Sequence, residues 1–144
     1  MAFSDFSNVL KIFGAPSPSE RKQKELYREV LLITLARASN SDANIHPVEI
    51  ETIQQIMQRE TGQEITEAEI RRVARPDMYE SVKLRKYLRR VQRQLKAEDK
   101  ITIMQALADV IRSDTQINVL EIDFFNRVAV ALRITRPELP ELTA

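Results

Sequence analysis

Four carboxylates recur at one spacing in this chain: Asp42 with Glu49, then Asp114 with Glu121. Each pair belongs to an Asp-x-x-Ile-x-x-x-Glu pattern, with Ile45 and Ile117 as the apolar members. That spacing equals the second half of a calcium-binding EF-hand loop. There the Asp is the fifth residue, the Ile the eighth and the Glu the twelfth, a bidentate ligand. Hard cations such as calcium take oxygen donors of this kind. The first half of such a loop is missing, because Ala38 and Asn40, or Val110 and Arg112, stand where its first ligands belong. Ala43 and Thr115 replace the glycine of the sharp turn. A complete EF-hand is therefore not expected, and a simpler oxygen site built from one or both motifs stays open.

The same acids have a purely structural reading. His46 and Asn118 sit where a helix N-cap belongs, Pro47 falls at the first helical position, and Glu49 and Glu121 fall at the third. A glutamate there answers free backbone amides and the helix dipole, a gain of about 0.3–1 kcal/mol. Asp42 and Asp114 could simply turn their loops through side-chain to backbone bonds. His46 is the only histidine and its counterpart is Asn118, which favours capping over metal ligation.

A second constellation is cationic. Leu84, Tyr87, Leu88, Val91 and Leu95 share one face of a helix, and Arg85, Lys86, Arg89, Arg90, Arg93 and Lys96 take the other. Between Arg71 and Lys100 lie 11 basic and 4 acidic residues, a local +7, which leaves 11 basic and 17 acidic residues, or −6, elsewhere. Such a face is either solvated and balanced by acidic neighbours, or a contact for a protein partner or an anionic surface. Nucleic acid is the weaker expectation, since Tyr87 lies on the apolar side and no recognition motif is present.

Catalytic chemistry needs a nucleophile with its base, a phosphate-cradling loop or a closed metal constellation. The chain has no Cys, one His, 2 Gly and no paired Glu-x-x-His motif, so no enzyme is expected.

These groups need helices to hold them. Ser17-Pro18-Ser19-Glu20 and Thr66-Glu67-Ala68-Glu69 are capping boxes that open helices. Pro76 stops the second of these near Arg75. Asp77 with Glu80 opens a helix reaching about Leu95, and others are expected over roughly Glu98–Arg112 and Val119–Ile134. Phe3, Phe6, Val9, Leu10 and Phe13 suggest a short N-terminal helix packed on the rest. No run alternates with period 2 for long enough to form a strand. The expected class is an all-α bundle of about seven helices.

An internal repeat organises it. Shifted by 72, residues 35–57 align without a gap on residues 107–129, with Leu35/Leu107, Ala36/Ala108, Ser41/Ser113, Asp42/Asp114, Ile45/Ile117, Glu49/Glu121 and Ile50/Ile122 identical. Two pseudo-symmetric helix–loop–helix units, about 22–61 and 98–134, would share one core within a single domain of 144 residues. Residues 62–97 would connect them, with 1–16 and 135–144 as tails. The absent cysteines suit a reducing compartment. The start lacks the basic and apolar regions of a signal peptide, and no apolar run approaches a spanning length. The expectation is a soluble, cytoplasmic protein.

The repeated Leu-Ala-x5-Asp-x2-Ile-x3-Glu-Ile pattern resembles the tellurite-resistance TerB-like family, whose usual motif is Ala-Asp-Gly-x-Ile-x3-Glu. That family also includes the N-terminal domain of membrane-anchored J-domain co-chaperones. The resemblance covers roughly residues 22–134 and departs at Ala43 and Thr115, where the family has Gly. It implies a helical bundle in a bacterial stress or membrane-surface setting. It also implies that Asp42, Glu49, Asp114 and Glu121 are candidates to bind a divalent cation such as calcium.

Overall fold

The computed structural model describes residues 18–39, 46–75, 80–113 and 119–135. Six α-helices fill them: α1 (Pro18–Ser39), α2 (Pro47–Thr61), α3 (Glu67–Ala74), α4 (Glu80–Val91), α5 (Ala97–Ser113) and α6 (Val119–Ala131). A 3-10 turn, Gln92–Gln94, joins α4 to α5. No strand occurs among the described residues, so the class is all-α, as the sequence predicts. The expected N-terminal helix, the Ser17 cap, Asp77 and the C-terminal tail lie outside the described residues.

Helix boundaries follow local chemistry. Pro47 occupies the first turn of α2 behind the extended His46. The Thr66 hydroxyl accepts a hydrogen bond from the Glu69 amide at 3.1 Å and starts α3. Gly62, at φ 72°, closes α2 with its amide donating to the Gln58 carbonyl. A left-handed residue is cheap there because glycine has no Cβ to clash.

Two ends differ from expectation. The helix predicted to reach Leu95 tightens at Gln92, whose side chain is buried and accepts a bond from the Lys100 ammonium at 2.9 Å. That bond ties the turn to α5 and fixes where the chain reverses. The helix predicted to reach Ile134 ends at Ala131, because Arg133 adopts φ 58°. The Arg133 and Ile134 amides then donate to the Val130 and Ala129 carbonyls, both at 3.1 Å. A left-handed cap without glycine leaves little trace in a sequence.

The core forms between α1 and α5, the most extensively packed pair. Leu31, Leu35 and Ala36 of α1 and Ile103, Met104 and Leu107 of α5 are fully buried, as are Ile53 and Met57 of α2. Fully burying one such side chain is worth about 1.5–3 kcal/mol. α2 packs on both α1 and α5, while α6 packs on α5, α1 and α4. The short α3 lies on α1, held by an Arg37 Nε bond to the Val73 carbonyl at 2.7 Å and an Arg28–Glu69 ion pair at 3.7 Å.

Directions follow from one polar cleft of about 590 Å³. The start of α1 (Gln23, Tyr27), the end of α2 (Glu60) and the start of α5 (Lys96, Asp99) all line it. Gln23 donates to the Gln94 carbonyl at 2.7 Å, and the Tyr27 hydroxyl makes a long 3.4 Å bond to Glu60. α1 and α5 therefore leave the cleft in the same direction, and α2 returns to it. The far ends of α1 and α5, and the starts of α2 and α6, share the opposite end of the bundle.

Two stability measurements follow. Arg133→Gly should raise unfolding free energy by about 0.5–1 kcal/mol in urea denaturation, while Arg133→Ala should bring no gain. Burial raises the Tyr27 and Tyr87 phenols above their ordinary value, with the Glu60 carboxylate adding to it at Tyr27 and Glu29 at Tyr87. A folded-state pKa above the unfolded one contributes stability that is complete below the ordinary phenol value of about 10 and lost as pH rises through the folded value. Stability should therefore fall above that pH, and a Tyr27→Phe/Tyr87→Phe variant should show a flatter decline in alkaline denaturation.

Candidate functional site

Glu49 and Glu121 each occupy the third position of their helix, counted from Pro47 and Val119. Both are buried despite their charge, at 5% and 6% exposure, unusual values for glutamate. Two free helix amides and the positive end of the dipole make such a position tolerable for a carboxylate. Glu49 does part of what the capping reading expects: its Oε1 accepts the His46 amide at 3.3 Å. His46 stands at the N-cap with an extended backbone and is exposed.

Asp42 and Asp114 lie outside the described residues, as do Ile45, Ile117 and Asn118. Among the described residues no group of three or more His, Cys, Asp or Glu side chains is arranged to hold a metal ion. The two glutamates do share an end of the bundle, because α2 and α6 both start opposite the polar cleft. The donor chemistry fits a hard cation: carboxylate oxygens only, with no thiolate in the chain.

The cationic residues sit on α4 and the turn behind it. Lys86, Arg89, Arg90 and Arg93 are exposed and Arg85 is half-buried. Arg90 lies over the Tyr87 ring, 5.8 Å from its centroid. None of the five makes an ion pair among the described residues. Arginines elsewhere do find carboxylates: Arg28 and Arg72 with Glu69, Arg71 with Glu67, and Arg127 with Asp123 at 2.9 Å.

Sequence reasoning missed the groove beside this basic ridge. Leu84 and Leu88 of α4 face Leu120 and Phe124 of α6 across about 370 Å³, with Arg85 on one wall. The available signal was α6 itself, where Val119, Leu120 and Val130 fall outside the stripe of Phe125 and Val128 that enters the core, and stay exposed. No described helix is long and apolar enough to cross a membrane.

A family model described as "Tellurite resistance protein TerB" matches residues 28–144, most of the chain and all five helices from α2 onward. No curated protein and no solved structure matches the chain. With the family model covering both acidic motifs and the basic helix between them, the chain belongs to the tellurite-resistance TerB family.

Proposed function

We propose that this protein is a non-catalytic binding module of the bacterial tellurite and stress response, working in the cytoplasm, and that its two acidic motifs hold a divalent cation such as calcium. The reading treats α1–α2 and α5–α6 as two copies of one hairpin, related by a pseudo-two-fold axis along the α1–α5 pair. In support, Tyr27 and Asp99, which correspond under the sequence shift, line the same cleft.

The observation that carries the proposal is the common sense of α1 and α5. Both hairpins then turn at the same end of the bundle, and each second helix begins there with a buried glutamate at its third position. Glu49 and Glu121 supply fixed carboxylates there, and Asp42 and Asp114 are the loop acids that complete the donor set. Antiparallel first helices would have sent the two motifs to opposite ends. A buried carboxylate is costly to hold in its charged form, and a divalent cation bound to it offsets that cost.

Thermal unfolding with and without excess calcium, magnesium, manganese or zinc tests the reading. A ligand that binds only the folded state at 100 times its Kd adds about 2.7 kcal/mol, a rise of roughly 5–10 °C for a chain of this size. The expected result is such a rise for one cation in the wild type, lost in Asp42→Asn/Asp114→Asn. No rise with any of the four, together with a destabilised variant, would assign the acids to capping and loop bracing alone.

A further inference from the structure

We propose that the groove between α4 and α6 docks an acidic, amphipathic helix of a partner protein, at a site separate from the acidic motifs. Leu88, Leu120 and Phe124 provide its apolar lining, and the groove is concave, at about 370 Å³. Leu120 is 60% exposed and its neighbour Val119 is 75% exposed. An exposed leucine beside a recessed apolar strip is a surface that gains by being covered. From Leu120 to Val128 the α6 wall runs for two turns, about 12 Å, which suits two or three side chains spaced i, i+3 or i+4, and i+7 on one helix.

Charge selects the occupant. Arg85 stands on the α4 wall, and Arg89 follows one turn along the same helix. Neither makes an ion pair among the described residues, nor do Lys86, Arg90 and Arg93 beyond them. The one carboxylate lining the groove, Asp123, is engaged by Arg127 at 2.9 Å. The rim is therefore cationic, and a helix with glutamates or aspartates flanking its apolar stripe complements it. A flat anionic bilayer would meet the basic ridge and leave the recessed leucines unfilled, so a protein segment accounts for more of the surface.

The test uses the full-length chain and a synthetic, labelled peptide of about fourteen residues, four helical turns. The peptide carries leucines at one helical stripe and glutamates elsewhere; a twin carries lysines instead. Fluorescence anisotropy reads binding, and amide shifts in a nitrogen-15 NMR titration read its location. The glutamate peptide should bind and shift α4 and α6 amides, while the lysine twin should not. Arg85→Glu/Arg89→Glu and, separately, Leu120→Glu should each weaken binding by roughly tenfold or more. Leu120 is exposed enough that its variant should fold, which circular dichroism would verify.

Absence of binding by the glutamate peptide, or shifts elsewhere than α4 and α6, would overturn the proposal. So would binding indifferent to Leu120→Glu, which would mean charge attraction without a groove. Retention on phosphatidylserine vesicles that depends on Arg85 and Arg89, without peptide binding, would replace the protein partner by a membrane surface.

Discussion

The bundle rests on the contact between two helices that run in the same direction. α1 and α5 bury their apolar faces against each other, with Leu31, Leu35, Ile103 and Leu107 wholly inaccessible. Parallel neighbours cannot be joined by a short loop, because the chain must first return to where it began. The segment between them therefore passes back along α2, out along α3 and back again along α4. The Gln92–Lys100 bond and the Gln23–Gln94 bond fix where the last pass ends. Everything else about the surface follows from this arrangement, including which helix starts share an end.

That arrangement separates two kinds of charge. Glutamates at the third positions of α2 and α6 are buried, and Glu49 accepts the His46 amide, which meets part of its cost locally. The basic side chains Lys86, Arg89 and Arg90 on α4 are exposed and make no ion pair among the described residues. The net charge of the chain, +1, conceals this division. A protein that keeps its opposite charges apart rather than pairing them retains a strong local field, which steers partners at low ionic strength and fades with salt.

The polar cleft at the other end shows why burial of a titratable group is not by itself a sign of chemistry. Tyr27, Glu60 and Asp99 come together there, and burial raises both the Tyr27 phenol and the Asp99 carboxyl above their ordinary values. Lys96 opposes the shift at Asp99. The three groups meet because three helix ends converge, and their perturbation is the consequence of that convergence.

Much was legible in the sequence. Helical spacing marked the face of α4 that buries Leu84, Leu88 and Val91. Thr66 with Glu69 and Pro47 behind His46 marked helix starts, because those residues answer unpaired amides wherever they occur. The third-position placement of Glu49 and Glu121 was equally local and equally readable. Local chemistry did not mark the left-handed cap at Arg133, which has no glycine to announce it, or the tightening at Gln92, which depends on Lys100 eight residues on. Nor did it reveal that the starts of α2 and α6 share one end, since only the packing of α1 on α5 sets that. The groove beside Leu120 came last for the same reason: an exposed leucine and a buried one look alike until the neighbouring helix is in place.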